Sequence, residues 1–475
     1  MPCDINPQSP GQTMAFGEVF FYNSAGRITQ KKLGFRRGAN GVFGVQYLIA
    51  SWTYNNEGQV LTTAYPSHQE GAFEAAREVK NTYDGIGRLN VVETKLGAVN
   101  QQVPGWQSVV SNVQFNAFGA VTSLNHLGVA ESRTYNELGQ MTRLTKGTLI
   151  DVEYRFSATA NDGQILSQKN WLTGEDVIYH YDELERLIAA STTAGPQSWG
   201  LSWSYDGFGN RLAQSVTQES GPVNSVLVNA NTNRISSAGS SYDANGNMTL
   251  MPKGAGSMTM DYDLSNRLQQ VTNSAGTEQY RYAPDNRRVW RSAGKGACSA
   301  YKDNDQNLTW FGTGDGVGEL LTFYSPGGEK MGVYCFKFSP NFLQAGVTAS
   351  EENVYFGGRL VGKRVLSQSG IDTGLVGAFT SDRLQSRGNG SRYYPYGKSK
   401  TGAAGDDREQ FATYTRDEKS GLDYADQRWY AREMGRFTSA DPFNGSSEAM
   451  EPKSWNKFSY ASADPVERID PEGLT

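Results

Sequence analysis

Two aspartates near the C-terminus are the residues of this sequence best suited to chemistry. Asp441 and Asp470 are each followed by a proline. If the fold brings them together, two close carboxylates cannot both ionise easily, so one keeps a proton while the other is charged. Such a pair supplies a general acid and a general base at one site, able to activate a water and to protonate the leaving amide of a peptide bond. Asp-Pro is also a common turn starter, so both aspartates can instead simply terminate hairpins.

The cations nearest in sequence, Arg436 and Arg468, are the candidate partners of these carboxylates. For Arg436 the preferred interpretation is a structural salt bridge. The aromatic residues around the two aspartates are predicted to pack rather than to form a ligand platform: Tyr394, Tyr396, Phe437 and Tyr460.

Metal and cofactor chemistry find no support in the residue types. The chain has three cysteines and three histidines, all scattered: Cys3, Cys298, Cys335, His68, His126 and His180. We therefore expect no zinc site, no disulfide framework, no Ser-His centre and no cofactor. A single Cys298–Cys335 bridge is conceivable, although the spacing carries no signal for it.

The composition indicates a thin wall rather than a thick core. Hydrophobic residues make up 37% of the 475 residues, aromatic residues make up 12%, and there are 54 glycines. A curved layer of strands has little interior per residue and needs glycine at its turns. The net charge of -5 is spread without long basic runs, which argues against a nucleic-acid partner. The sequence contains no apolar stretch long enough for a membrane span. No signal peptide is visible, so localisation stays open; export or surface display would require a non-classical route or an upstream region.

A short repeat is the strongest signal in the chain. It consists of an aromatic residue, Asp or Asn, two or three variable residues, Gly or Asn, a polar residue and an aliphatic residue. Clear copies begin at Tyr22, Tyr54, Tyr83, Tyr135, Tyr205 and Tyr242, and weaker ones begin at Phe115, Tyr181 and Tyr262.

Each copy predicts a strand, a tight turn and a returning strand. In Tyr83-Asp84-Gly85-Ile86-Gly87-Arg88-Leu89 the tyrosine closes a strand, the aspartate starts the turn and the second glycine supplies the positive φ. A hairpin is marginal alone, so neighbours must stabilise it. The fold class is therefore all-β, with a generic β-sandwich as the alternative.

Units of this Tyr-Asp-x-x-Gly-Arg-Leu form resemble the YD repeats of Rhs proteins, teneurins and the C components of Tc toxins. The resemblance implies spiralling β-hairpins that form a partial or complete hollow shell. It predicts a lead-in over 1–20, repeats over 21–290, an irregular continuation over 291–390, and a closing segment over 391–475.

The last segment resembles the Rhs repeat-associated core. Its ordered matches span about 80 residues: Tyr394-Pro395-Tyr396-Gly397, Ser420-Gly421-Leu422, Arg428-Trp429-Tyr430, Gly435-Arg436-Phe437-Thr438-Ser439-Ala440-Asp441-Pro442, Asn456-Lys457-Phe458-Ser459-Tyr460 and Asp470-Pro471-Glu472-Gly473-Leu474. The resemblance implies aspartic autoproteolysis just after the last motif, at the Leu474–Thr475 bond. The chain would at most be an autoprotease acting on its own C-terminus.

The resemblance also implies a container, in which the wall shields a toxin or effector passenger. That passenger is absent from this chain, and the chain looks short for a whole shell. It would then be a fragment or require a partner shell protein. A rigid adhesion module that binds a cell-surface glycan or receptor is the alternative, with four tryptophans as candidate contacts: Trp52, Trp106, Trp171 and Trp203. An ordinary hydrolase lacks the clustered residues that it would need.

Overall fold

The computed structural model is built almost entirely of antiparallel β-structure. It describes residues 14–37, 46–68, 77–95, 105–294, 318–339, 344–366, 372–378, 380–388, 390, 392–400, 409–417, 419–443, 445 and 452–474. Within these ranges the helical segments are short 3-10 turns: Phe411–Thr413, Pro452–Trp455 and Ala461–Ala463. The predicted all-β fold of successive hairpins is confirmed.

The strands follow one another at short intervals along the chain. In chain order they are β1 (Met14–Tyr22), β2 (Ile28–Arg37), β3 (Gln46–Tyr54), β4 (Val60–His68), β5 (Glu78–Tyr83), β6 (Leu89–Lys95), β7 (Trp106–Phe115), β8 (Val121–His126), β9 (Val129–Tyr135), β10 (Met141–Lys146), β11 (Ile150–Arg155), β12 (Ser167–Asn170), β13 (Asp176–Tyr181), β14 (Leu187–Ala194), β15 (Trp199–Tyr205), β16 (Arg211–Glu219), β17 (Asn224–Ser225), β18 (Val228–Asn229), β19 (Arg234–Ile235), β20 (Ser241–Tyr242), β21 (Met248–Lys253), β22 (Gly256–Tyr262), β23 (Leu268–Asn273), β24 (Gly276–Tyr282), β25 (Arg288–Gly294), β26 (Gly318–Tyr324), β27 (Lys330–Ser339), β28 (Gln344–Phe356), β29 (Arg359–Leu366), β30 (Asp372–Ala378), β31 (Thr415–Arg416), β32 (Asp423–Ala425), β33 (Arg428–Ala431) and β34 (Arg436–Phe437).

The described residues divide into two compact units. The first falls within Met1–Gln114, Ser123–Val129 and Gln279–Phe379, and the second within Phe115–Thr122, Ala130–Glu278 and Thr380–Thr475. In the first unit the strands from β1 to β7 pair antiparallel in sequence order, as do those from β25 to β30. In the second unit the same holds from β9 to β17 and from β31 to β34.

The repeat turn has the geometry that its residue types predict. The Oδ1 atom of Asp84 accepts hydrogen bonds from the backbone N–H groups of Ile86 at 3.1 Å and Arg88 at 2.9 Å. Gly87 adopts φ +85° and donates to the Asp84 carbonyl at 3.0 Å. The turn thereby pairs Tyr83 with Leu89. One side-chain oxygen of the aspartate or asparagine accepts two backbone hydrogen bonds and thereby stabilises the turn.

In five repeats the tyrosine ties its hairpin to the preceding one. Its hydroxyl donates to a backbone carbonyl that lies shortly after the previous turn or loop. The pairs within the first unit are Tyr54 to Ile28 at 2.6 Å and Tyr83 to Val60 at 2.9 Å. Those in the second unit are Tyr135 to Val121 at 2.9 Å, Tyr181 to Ile165 at 3.0 Å and Tyr205 to Leu187 at 2.6 Å. The repeated aromatic thus acts through its polar end as well as its ring.

Some turns keep this geometry without the glycine. Glu185 and Asn266 occupy the glycine position of weak copies and adopt φ +61° and +60°. The same backbone bonding closes turns whose sequences depart further from the repeat, from Ser325 to Glu329 and from Tyr394 to Lys398. The backbone geometry of the turn is therefore more regular along the chain than the residue types that form it.

In the second unit the C-terminal segment packs its aromatic side chains against the inner face of the repeat strands. One buried cluster contains Leu144, Val152, Leu187, Trp199, Leu201 and Trp203 from the strands, together with Tyr393, Tyr396, Phe411, Tyr414, Tyr430, Phe437 and Tyr460 from the segment. The rings of Tyr430 and Tyr460 lie 4.6 Å apart between centroids. Large aromatic side chains give this thin-walled fold the apolar area that its few aliphatic residues cannot supply.

The first unit contains a buried network of ion pairs. Glu352 accepts from Arg77 at 2.8 Å and from Arg364 at 2.8 Å, and both the Glu352 and Arg364 side chains are fully buried. Cys335 in β27 is disulfide-bonded. Cys298, the other half of the bridge conceivable from the sequence, lies outside the described residues.

We predict that Tyr135→Phe destabilises the second unit by about 1 kcal/mol, because it removes the hydroxyl bond to Val121 and leaves a carbonyl without its donor. The measurement is the urea midpoint of unfolding, followed by circular dichroism. Tyr22→Phe is the matched control. Tyr22 belongs to the first copy of the repeat and is 59% exposed, so removing its hydroxyl should change stability little. Equal midpoints for the two variants would contradict the proposed role of the tyrosines.

Candidate functional site

Asp441 follows β34, and backbone bonds fix its position. Its N–H donates to the Lys457 carbonyl at 2.9 Å. Its Oδ1 accepts from the N–H of Phe443 at 2.8 Å, which closes a turn over the intervening proline. The side chain is only 3% exposed. Asp441 is therefore a turn residue, as the structural alternative expected, but one whose carboxylate is buried.

Asp470 begins a tight turn formed by the last described residues. Its Oδ1 accepts from the N–H of Leu474 at 2.8 Å. Its own carbonyl accepts from the N–H of Gly473 at 3.3 Å and from the hydroxyl of Tyr414. The side chain is 1% exposed. The segment 470–474 therefore folds back over the carboxylate of its first residue.

The two aspartates meet at one arginine. Nη2 of Arg428, in β33, lies 3.6 Å from Oδ2 of Asp441 and 3.1 Å from Oδ2 of Asp470. Because both carboxylates approach the same nitrogen, the structure brings together the two residues that the sequence singled out. The Arg428 side chain is 2% exposed, so this is a buried cluster of one cation and two acids.

The other nitrogens of Arg428 hold the backbone around the cluster. Nη1 donates to the Lys457 carbonyl at 2.9 Å, and Nε donates to the carbonyl of Gly473. The guanidinium lies over the ring of Phe437, 3.7 Å from its centroid. Burial lowers the pKa of Arg428, against the opposing effect of Asp441 and Asp470. Arg428 therefore holds the two carboxylates and the backbone at Lys457 and Gly473 in one cluster.

Gly473 is the residue that permits this close approach. It adopts φ +70°, and a Cβ atom there would lie 2.7 Å from the Ala425 carbonyl oxygen and 3.3 Å from Cβ of Arg428. A side chain would therefore clash with backbone and strain the turn. The glycine of the Asp-Pro-x-Gly-Leu motif is required by the packing of its carbonyl onto Arg428.

The two arginines predicted from sequence proximity lie elsewhere. Arg436 contacts the amide oxygen of Asn210 at 3.3 Å and the carbonyl of Asn233 at 2.5 Å, with no carboxylate among its described partners. Arg468 is half exposed and lies 3.4 Å from Glu185. The salt bridge expected for Arg436 is absent from the described contacts. Arg428 takes that position because the β33–β34 hairpin turns its side chain toward both aspartates.

The remaining sequence candidates differ in how far the structure describes them. Tyr396, Phe437 and Tyr460 are buried in the aromatic cluster, and Tyr394 packs against it. Leu474 is partly buried, whereas Thr475, the other half of the predicted cleavage site, lies outside the described residues.

The candidate glycan-binding tryptophans differ in exposure. Trp52 and Trp203 are buried, whereas Trp106 and Trp171 are 38% and 47% exposed. Lys80 lies 5.6 Å from the ring centroid of Trp106, and Lys169 lies 4.0 Å from that of Trp171, so each exposed ring has a cation beside it.

Two negative observations concern only the part of the chain that the structure describes. It contains no group of three or more His, Cys, Asp or Glu side chains placed to hold a metal ion. It also contains no helix with the length and hydropathy needed to cross a bilayer.

Two curated proteins are similar in sequence. The tRNA3(Ser)-specific nuclease WapA of Bacillus spizizenii is 24% identical over 314 residues, and the tRNA nuclease WapA of Bacillus subtilis strain 168 is 24% identical over 307 residues. Each match covers 62% of this chain but only 12% of the relative. The chain therefore corresponds to a small part of these proteins. No protein-family model matches it.

Solved Tc toxin structures share the fold over 98% of the chain. The TcdB2-TccC3-Cdc42 crystal structure aligns with a TM-score of 0.69 at 17% identity and is covered to 24%. The Photorhabdus luminescens Tc holotoxin pore with a TccC3 mutation aligns with a TM-score of 0.70 at 16% identity and is covered to 23%. These matches agree with the YD-type repeats and with the hairpin geometry, and they show the fold.

The chain has the β-shell fold of these Tc toxin structures. The Asp441–Arg428–Asp470 cluster lies in the segment that resembles the Rhs repeat-associated core. The sequence boundaries of the chain's four predicted regions stay a prediction.

We predict that Arg428→Met destabilises the protein by about 3–5 kcal/mol, because it leaves two buried carboxylates without their cation. The measurement is again the urea midpoint of the second unit. Arg468→Gln removes the same charge from a half-exposed side chain and should change stability by less than about 0.5 kcal/mol. Similar small effects in both variants would contradict a central role for Arg428.

Proposed function

We propose that this chain forms part of a container for a toxin or effector passenger, and that it cleaves itself after Leu474 to free the passenger. The observation that carries the cleavage is the buried Asp441–Arg428–Asp470 cluster, which contacts the backbone of the predicted cleavage motif. The likeness to Tc toxin β-shells supports the container.

Both sides of the last described peptide group contact the cluster. The carbonyl of Gly473 accepts from Arg428, and the N–H of Leu474 donates to Asp470. These bonds hold the chain immediately before the Leu474–Thr475 bond in one orientation beside two carboxyl groups. Holding a reacting group in place in this way lowers the entropic cost of the reaction.

In the proposed reaction one carboxyl of the pair is ionised and the other carries a proton. The ionised group removes a proton from a water molecule, whose oxygen attacks the Leu474 carbonyl carbon. The protonated group gives its proton to the leaving nitrogen of residue 475. The C–N bond breaks, leaving a carboxyl group on Leu474 and a free amine on residue 475. One water is consumed and the protein is otherwise unchanged.

Arg428 fits this chemistry as the group that sets the charge of the pair. A single guanidinium contacts both buried carboxylates. In the proposed reaction the two acids hold one proton between them. The cluster can therefore hold the acid and the base that the reaction needs without a metal ion.

We predict self-cleavage when a folded reporter domain is appended after residue 475. Intact mass spectrometry of the purified protein should show a product ending at Leu474. Asp441→Asn and Asp470→Asn should each leave the reporter attached over the same incubation, because each removes one of the two carboxyl groups.

Asp84→Asn is the matched control, since it makes the same change in a repeat turn where other copies already have asparagine, as at Asn55. It should cleave like the wild type. An uncleaved wild type, or cleavage that survives both cluster variants, would refute the proposed aspartic mechanism.

Containment gives a separate prediction. In the cleavage-blocked Asp470→Asn variant, an unfolded passenger appended after residue 475 should resist trypsin while the free passenger is digested. Because the chain covers only about a quarter of the Tc toxin chains it resembles, the assay is repeated with a partner shell protein if one is encoded nearby. If the appended passenger were digested as fast as the free passenger under both conditions, the container proposal would be refuted and the cleavage proposal would be unaffected.

A further inference from the structure

A buried ion pair joins the repeat strands of the second unit to the C-terminal segment. Nζ of Lys400 lies 2.8 Å from Oε1 of Glu175, and the two side chains are 7% and 8% exposed. The partners are 225 residues apart in sequence. Burial lowers the pKa of Lys400, against the opposing effect of Glu175. Because buried ions lose their hydration, a change that makes both groups neutral would lower the cost of burying them.

The backbone holds both partners in place. Glu175 lies in the turn between β12 and β13, and its carbonyl accepts from the N–H of Asn170 at 2.8 Å. Gly195 packs so closely on this turn that a Cβ atom there would lie 2.7 Å from Cα of Glu175. Lys400 follows the turn from Tyr394 to Lys398, and its N–H donates to the Arg392 carbonyl at 2.9 Å. Packing and hydrogen bonds therefore fix the two stretches of chain from which the side chains meet.

Aromatic rings border the ammonium group. Nζ of Lys400 lies 4.6 Å from the ring centroid of Trp199 and 5.8 Å from that of Tyr394. The two rings meet edge to face, with their centroids 5.1 Å apart. Among the described residues, the carboxylate of Glu175 is the only ion-pair partner of Lys400. The amine and the acid are therefore held in contact beside apolar rings.

The indole of Trp199 also contacts the acid. Its Nε1–H donates to Oε1 of Glu175 at 3.0 Å, the same oxygen that Lys400 contacts. Trp199 is itself only 3% exposed. A fixed N–H donor on a carbonyl oxygen stabilises the negative charge that develops there when a nucleophile attacks the carbon. Glu175 therefore has a nucleophile and an activating donor within hydrogen-bond distance.

We propose that Lys400 and Glu175 condense to an isopeptide bond, an amide between Nζ and Cδ that ties the repeat strands to the C-terminal segment. The ammonium group first passes a proton to the carboxylate, which gives a neutral amine and a neutral acid. The amine nitrogen then attacks Cδ of Glu175, while Oε1 keeps its hydrogen bond from Trp199. Oε2 leaves as water, with the proton received first and a second proton from the nitrogen. The ion pair thus contains every atom of the amide and of the released water.

Two physical effects favour the amide over the ion pair. Contact within a fixed structure replaces a bimolecular encounter, which in well-oriented intramolecular reactions is worth effective concentrations on the order of 10⁵–10⁸ M. Burial favours one neutral amide over two charged groups. A recess that borders Glu175, Trp199 and Lys400 can receive the released water. The proposal does not depend on self-cleavage or on a passenger.

A second buried pair, in the first unit, provides an internal comparison. Nζ of Lys31 lies 2.7 Å from Oε1 of Glu18, and the side chains are 3% and 7% exposed. The rings of Phe20 and Phe323 lie 5.5 Å and 5.4 Å from the same nitrogen. Within the described part of the chain, no donor other than Lys31 contacts the Glu18 carboxylate. Because this pair lacks a counterpart of the Trp199 N–H, we expect it to stay an ion pair.

The experiment is intact mass spectrometry of the full chain, denatured and reduced, followed by tryptic mapping. We expect the wild-type mass to be lower than the mass of the sequence by one water, and a branched peptide to join the stretches around Glu175 and Lys400. Lys400→Arg keeps the charge but cannot form this amide, so its mass should match its sequence. Trp199→Phe keeps an aromatic ring and removes the N–H donor, so it should lower the linked fraction.

Lys31→Arg is the matched control, because it makes the same substitution in the comparison pair and should keep the loss of one water. A wild-type mass equal to that of the sequence, with Lys400 open to amine labelling after denaturation, would overturn the proposal. A loss of water that persists in Lys400→Arg would also overturn it, since the change would then lie at another site. If Lys400→Arg does not fold, the branched wild-type peptide still decides, because its fragment ions identify the two linked residues.

Discussion

The structure depends on the fact that no single hairpin of the repeat can stand alone. Each two-stranded unit buries too little surface to be stable, so every repeat must be fixed to the one before it. The tyrosine hydroxyl does this with a backbone carbonyl that lies just beyond the previous turn or loop, as in the bond from Tyr83 to Val60. Because the acceptor is backbone, the link tolerates side-chain changes in the neighbouring repeat, and repeats of unequal length can still follow one another.

The small number of aliphatic side chains in the hairpins also explains why the C-terminal segment contains so many aromatic residues. A wall of hairpins presents an inner face with few aliphatic side chains, and the segment covers that face in the second unit with rings that bury large areas. Its short strands then position charged groups within this apolar surrounding. Arg428 in β33 is one of these groups, and its bonds to Lys457 and Gly473 hold two distant stretches of chain in place. The wall and the candidate site are thus connected through packing.

Much of the fold could be predicted from the sequence because its determinants are local. The aromatic, the turn aspartate and the glycine lie within six residues, so the hairpin is visible wherever they occur together. The aspartate pair was also predicted, from the two Asp-Pro motifs. Arg428 could not be predicted from sequence proximity, because β33 reaches Asp441 and Asp470 only through the folded hairpin. The matched Arg-Trp-Tyr motif contained the signal, but nothing local distinguishes a packing arginine from one that bridges two acids.

The β33–β34 hairpin carries two buried arginines with different neighbours. Arg428 in β33 contacts the carboxylates of Asp441 and Asp470. Arg436 in β34 donates to the neutral oxygens of Asn210 and Asn233, and the charge of Asp206 acts on it without a described hydrogen bond. The two strands pair with each other, with Arg436 opposite Ala431. One small hairpin therefore directs one arginine to the two acids and the other to amide and backbone oxygens, which is why the arginine nearer to Asp441 in sequence is not its partner.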